Sequence, residues 1–153
     1  MIPERVQMVL QANGLEALEF EPGSTPTAQM AADRIGVSVG QIAKSILVAG
    51  KDGAFRMVVL PGDRRLSSSR IKQLTGVKHS MASADDTERV TGFRPGGVCP
   101  FGVNGIPVLV DRGLEQYSTI YPAAGTDSTG VPITFAQLVS ITDATVCDLT
   151  GNY

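Results

Sequence analysis

The sequence predicts a mixed α/β fold on a sheet that combines both strand directions. Two observations carry this. Segments of helical spacing and short apolar runs alternate irregularly along the chain, and one pair of runs is joined by a tight glycine-containing loop, which makes its strands antiparallel. A sheet with such a hairpin among helix crossovers is mixed rather than purely parallel. With 153 residues, 42% of them hydrophobic, and no long Pro/Gly/Ser-rich stretch, residues 1–153 read as one domain.

In order, Val6, Val9 and Leu10 fall at helical spacing between Pro3 and Asn13, with Gly14 as the stop. Leu15 to Glu21 reads as extended, with Leu18 and Phe20 on one face, and ends in the turn Pro22-Gly23-Ser24. Thr27 is placed to cap a helix whose Ala28, Ala31, Ala32 and Ile35 share a side, closed by Gly36. Ser38 opens a further short turn. Ser45 to Ala49 then reads as a buried strand, Gly50-Lys51-Asp52-Gly53 as a hairpin loop, and Ala54 to Leu60 as the returning strand. Lys44 stands at the entrance to this hairpin. Ser67, Ser68 and Ser69 lead into a helix over Arg70 to Thr75, and Ser83 with Asp86 has the pattern of a capping box. Pro107 to Asp111, Thr119 to Tyr121 and Thr145 to Leu149 read as strands, and Thr134 caps a helix through Ile141.

The apolar runs Ile46 to Ala49 and Met57 to Leu60 are far shorter than the roughly 20 residues needed to cross a bilayer. The opening Met-Ile-Pro-Glu-Arg-Val lacks the pattern of a secretory signal, so a cytoplasmic location is the default expectation. Two cysteines, Cys99 and Cys147, make no disulfide framework, and a single histidine, His79, without a Cys-x-x-Cys pair offers no zinc site. The expected chemistry therefore uses no metal or cofactor. A formal charge of −2 argues against nonspecific coating of nucleic acid. Arg64, Arg65, Arg70, Lys72 and Lys78 nevertheless fall close together, either as a solvated face or as a local phosphate contact.

The stretch Gly92 to Gly102 holds four glycines and two prolines, which excludes regular helix and central strand. It must be a shaped loop. Gly96 and Gly97 let backbone N–H groups approach a ligand, and Pro95 and Pro100 stiffen the frame. Such a loop can form an oxyanion hole, where each effective donor lowers a barrier by roughly 3 to 4 kcal/mol; the same composition also suits a tight surface connection. Lys44, flanked by Ile42, Ala43, Ile46 and Leu47, carries a charge among apolar neighbours, which calls for an anionic partner or an outward-reaching stem. Cys99 lies inside the loop, but a thiolate nucleophile needs a cationic neighbour, and His79 is distant in sequence.

Four stretches resemble the YbaK and prolyl-tRNA editing family in order and spacing over nearly the whole chain: 27–36, 41–48, 91–102 and 119–125. The most specific element is the Gly-x-x-x-Pro loop, here Gly96 to Pro100, preceded by the strand-entry Lys44. The resemblance implies a curved mixed sheet surrounded by helices and the hydrolysis in trans of misacylated tRNA, typically tRNA for proline carrying a small amino acid such as alanine or cysteine. It implies that Lys44, Gly96 and Gly97 form the catalytic set. It further implies that Phe20, Thr27, Val98, Cys99, Pro100, Ala123, Ala124 and Gly125 contact the 3′ end of the tRNA, with a prolyl-tRNA synthetase as a further partner. A binding module associated with a synthetase is the alternative. Cysteine-specific members carry tyrosine where this chain has Phe20 and serine where it has Ala123. The pocket here is accordingly expected to be less polar and to select by size, at about 1 to 3 kcal/mol per methylene.

Overall fold

The computed structural model describes residues 1–151. Helix α1 (Glu4–Ala12) starts where the Pro3 carbonyl accepts from the amides of Val6 and Gln7, and it buries Val6 and Leu10. A short strand β1 (Leu18–Glu19) follows, and then helix α2 (Ala28–Ile35), whose N-cap Thr27 accepts from the Met30 amide at 3.2 Å. Strands β2 (Ala43–Gly50) and β3 (Phe55–Pro61) form the expected hairpin, with Lys44 opposite Leu60. Helix α3 (Ser68–Thr75) is capped by Ser67, strand β4 (His79–Met81) returns to β2, and helix α4 (Ala84–Thr91) is capped by Ser83. Strand β5 (Val108–Asp111), strand β6 (Thr129–Gly130), helix α5 (Phe135–Thr142) and strand β7 (Thr145–Cys147) complete the order.

The main sheet has five strands in the order β4-β2-β3-β5-β7. Its first two junctions are antiparallel and its last two parallel, so the mixed sheet expected from the sequence is present. Strand β3 sits at its centre, and Met57, Val58, Val59 and Leu60 are all fully buried. Alternation sends Met57 and Val59 to one core with Val6, Leu10 and Leu138, and Val58 and Leu60 to another with Ile71 and Leu149. A central strand covered on both faces reads as a continuous apolar run, as this one does.

Several expectations are corrected. Thr119 to Tyr121 is no strand: Tyr121 and Ile120 make isolated bridges to Ile42 and Ile133. The extended segment before residue 22 pairs only over Leu18–Glu19, with β6, and both of its residues are exposed. Strand β4 carries a histidine and a serine and lies at the sheet edge, so no apolar run announced it. Ser83 makes one half of a capping box, since the Asp86 carboxylate accepts from Arg89 instead; Thr134 and Gln137 make the full reciprocal pair.

Asp111, fully buried at the end of β5, accepts from the amides of Leu149 at 2.8 Å and Gly113 at 2.9 Å. Asp111→Ala leaves both donors without this acceptor. It should cost roughly 2 to 4 kcal/mol in urea unfolding, whereas a loss below about 1 kcal/mol would show that the carboxylate is not what joins β5 to the C-terminal segment.

Candidate functional site

The glycine-rich loop between α4 and β5 makes no sheet ladder, and its shape comes from anchors at both ends. Arg5 of α1 reaches across to donate to the carbonyls of Thr91 and Gly102, the latter at 2.7 Å, while its guanidinium lies 4.2 Å from the centre of the Phe93 ring. Phe93, Cys99 and Phe101 are buried in the core and fix the loop from below. Between them Arg94-Pro95-Gly96-Gly97 forms a turn closed by the Gly97 amide on the Arg94 carbonyl at 3.0 Å, with Gly96 at φ +94°. Proline before a positive-φ glycine is the pattern of a type II turn.

The two glycines serve different needs. Gly96 occupies a backbone region that side chains disfavour, whereas Gly97 lies against the backbone of Thr126, where a Cβ would come within 2.9 Å of two main-chain atoms. The Thr126 segment is itself tied down. Thr126 Oγ1 donates to Thr129 Oγ1, which accepts from the Ala124 amide at 2.9 Å, and the Asp127 carbonyl and carboxylate accept from the amides of Thr25 and Gly23.

The glycine loop, the start of α2, the entrance of β2 and the 121–129 segment enclose a small cleft of about 120 Å³. Ala28, Ala31, Ile35 and Ile42 supply apolar lining, while Thr25, Lys44, Ser45 and Gly96 bring polar groups. The Lys44 ammonium is half-buried and donates to the Gly62 carbonyl at 3.4 Å. Burial pushes its pKa below the ordinary lysine value, Arg65 adds repulsion, and Asp63 partly offsets both. The hydroxyls of Thr25 and Ser45 are buried without a protein partner, although Thr25 is only 6% exposed. Orphaned hydroxyls of this kind are suited to a ligand. The amides of Gly96 and Val98 have no protein acceptor among the described residues, whereas that of Gly97 is spent inside the turn.

Of the residues that the sequence brought forward, Lys44, Gly96, Thr27, Val98 and Ala123 line this cleft together. Gly97 and Gly125 border a neighbouring cavity with Arg94 and Asp127 instead. Cys99, Pro100 and Ala124 are buried behind the wall, and Phe20 lies under the Arg34 guanidinium at 4.5 Å. The Cys99 thiol is pushed up to about 12, chiefly by burial, which leaves no thiolate at neutral pH. His79 donates from Nδ1 to the Val77 carbonyl and accepts from Arg56 at Nε2, so both nitrogens are occupied by structural contacts outside the cleft. Thr25, Ser45 and Tyr121 are cleft residues that sequence reasoning did not single out; Ser45 and Tyr121, which lie in the stretches 41–48 and 119–125, were within reach of a motif-based reading. Among the described residues no group of three or more His, Cys, Asp or Glu side chains is placed to hold a metal ion, and no helix is long and apolar enough to cross a membrane.

The cleft that joins a strand-entry lysine to the glycine loop is the candidate site of this mixed sheet. Residues 21–141 match the aminoacyl-tRNA editing domain, and the chain belongs to that family, whose chemistry is aminoacyl-ester hydrolysis. Among its relatives, "Uncharacterized protein YwhH" of Bacillus subtilis is 35% identical over 80% of this chain and 78% of its own. "Putative Cys-tRNA(Pro)/Cys-tRNA(Cys) deacylase EbsC" of Enterococcus faecalis is 25% identical over 81% of this chain and 77% of its own. The crystal structure of "a putative trans-editing enzyme for prolyl tRNA synthetase" superposes with a TM-score of 0.88 at 34% identity, covering 97% of this chain and 96% of the other.

Gly97→Ala should push the loop off Thr126 and cost about 1 to 3 kcal/mol in thermal or urea unfolding, as overpacking against fixed backbone does. Cys99→Ser should keep hydrolytic activity, and the native protein should resist iodoacetamide at neutral pH; loss of turnover in that variant would return the thiol to the mechanism.

Proposed function

We propose that the cleft receives the aminoacyl group of a misacylated tRNA and hydrolyses its ester. The observation that carries this reading is the convergence, on one small cavity, of a desolvated ammonium, two unpartnered hydroxyls and loop amides free to donate. Water attacks the carbonyl carbon, the bond to the ribose oxygen breaks, and the tRNA hydroxyl and the free amino acid depart. Charge builds on the carbonyl oxygen as water adds, and the Gly96 and Val98 amides are the donors that stabilise it. Gly97 is replaced in this role by Val98, because its own N–H already closes the turn.

Lys44 holds the ester end of the substrate through charge-assisted hydrogen bonds, which offset the cost of keeping its ammonium partly out of water. The Thr25 and Ser45 hydroxyls accept from the amino group of the substrate. No side chain is required as a strong base, because the neighbouring ribose hydroxyl of the substrate can orient the attacking water. The short, largely aliphatic lining favours small amino acids such as alanine or cysteine, and tRNA for proline is the carrier we assign. The name of the relative EbsC supports cysteine and tRNA for proline, the solved trans-editing neighbour supports the prolyl system, and a prolyl-tRNA synthetase is the partner that would supply the substrate.

Two outcomes test the reading. Lys44→Met should lower single-turnover deacylation by about 100-fold or more while Tm stays level or rises, because the folded state disfavours the charge it removes; retained turnover would take Lys44 out of the mechanism. Across alanyl-, cysteinyl-, seryl- and prolyl-tRNA the rates should fall as the side chain outgrows the cleft, and equal rates for all four would contradict selection by size.

A further inference from the structure

Helix α1 precedes residues 21–141, which carry the editing-domain match, yet side chains of its first turn reach the backbone that shapes the cleft. Val6 and Leu10 are buried in the same core as Phe93, Cys99 and Phe101, which fixes α1 against the glycine loop. Arg5, next to Val6, is thereby aimed at both ends of that loop. Thr91 is the last residue of α4, so its carbonyl has no donor within the helix and lies at the negative end of the helix dipole. One terminal nitrogen of Arg5 donates to this carbonyl and the other to the Gly102 carbonyl at 2.7 Å. Glycine at each end makes the approach possible: a Cβ on Gly92 would lie 2.6 Å from an Arg5 terminal nitrogen, and one on Gly102 would lie 3.2 Å from Arg5 Cγ. The same N-terminal segment also supports the opposite wall. A Cβ on Gly125 would meet Phe93 Cε1 at 2.9 Å and Pro3 Cδ at 3.0 Å, and the Phe93 ring lies under the Arg5 guanidinium. Gly125 adjoins Thr126, whose backbone abuts the loop at Gly97.

We infer that Arg5 is a positioning residue for the ester hydrolysis. It touches no substrate; it acts by holding the Gly96 and Val98 amides where the oxyanion forms. This rests on the assignment of those two amides to the oxyanion. Two physical points separate positioning from a contribution to stability alone. The apolar anchorage of α1 comes from Val6 and Leu10, so removing the guanidinium releases the loop ends while the helix stays packed. The loop has no ladder bonds to hold it once its ends are released, and a displacement of about 1 Å in a catalytic group can cost on the order of 100-fold in rate. Lysine is no substitute, because a single ammonium lacks the planar fork that reaches both carbonyls at once. The Phe93 and Gly125 contacts carry the same loosening to Thr126, so both backbone stretches that meet at Gly97 depend on the first turn of α1.

The test compares Arg5→Ala and Arg5→Lys with the unmodified protein in steady-state hydrolysis of whichever of alanyl-, cysteinyl-, seryl- and prolyl-tRNA the unmodified protein cleaves fastest. Rates are expressed per folded molecule, with the folded fraction taken from circular dichroism. Arg5→Ala should lower kcat about 30-fold and leave KM within roughly threefold, the pattern of a lost transition-state interaction. Arg5→Lys, which keeps the charge and most of the stem, should still lose about fivefold or more in kcat, and it carries the test if Arg5→Ala does not fold. Unchanged kcat per folded molecule in a folded variant, or a loss confined to KM, overturns the positioning role, because a residue that serves stability alone changes only the folded fraction. Failure of the oxyanion assignment is distinct: it would show in the unmodified protein, as no hydrolysis of any of the four substrates or as no response of the Gly96 and Val98 amide resonances to a bound tetrahedral analogue.

Discussion

The site depends on one close approach between two stretches of backbone, the glycine loop at Gly97 and the segment at Thr126. A single added methyl at Gly97 would meet main-chain atoms that have no rotamer with which to yield. From this contact follow the position of the turn, the outward placement of Gly96 and Val98, and the separation between the cleft and the cavity bordered by Gly125. Arg5 supports the arrangement from outside by gripping the carbonyls at both ends of the loop, which lets an element with no ladder hold a fixed shape.

The sheet supplies the second half of the site. Hairpin register sets Lys44 opposite Leu60 at the open end of β2, close enough to Asp63 and Arg65 for both to act on its charge. Burial of β3 on both faces makes that frame stiff, and Lys44 stands half-buried on the strand paired with it. A lysine whose ammonium is disfavoured by its surroundings stores a modest electrostatic cost, and in the role proposed for Lys44 a substrate oxygen would relieve it. On that proposal, stability and function pull in opposite directions at residue 44.

Much of this was legible in the sequence because it is local. The caps Thr27, Ser83 and Thr134, the hairpin around Gly50-Lys51-Asp52-Gly53 and the need for a shaped loop at 92–102 all follow from residues a few positions apart. What escaped is long-range or edge-like. Arg5 finds its partners 86 and 97 residues away, and nothing near Arg5 signals them. Strand β4 is too short and polar to show alternation, and in sequence the bridge at Tyr121 is indistinguishable from a strand over three positions. At the site, the Gly-x-x-x-Pro pattern located the loop but could not say which amide the turn consumes; that required the bond between Gly97 and Arg94. Thr25 emerged only when the fold closed around its hydroxyl.

The most direct measurement of the central claim follows the backbone amides themselves. In ¹⁵N-resolved NMR spectra, a tetrahedral phosphonate analogue of alanyl-adenosine should move the Gly96 and Val98 amide resonances strongly downfield and leave that of Gly97 almost in place. A downfield shift at Gly97 with none at Gly96 and Val98, or no shift at any of the three when the analogue is bound, would contradict the account.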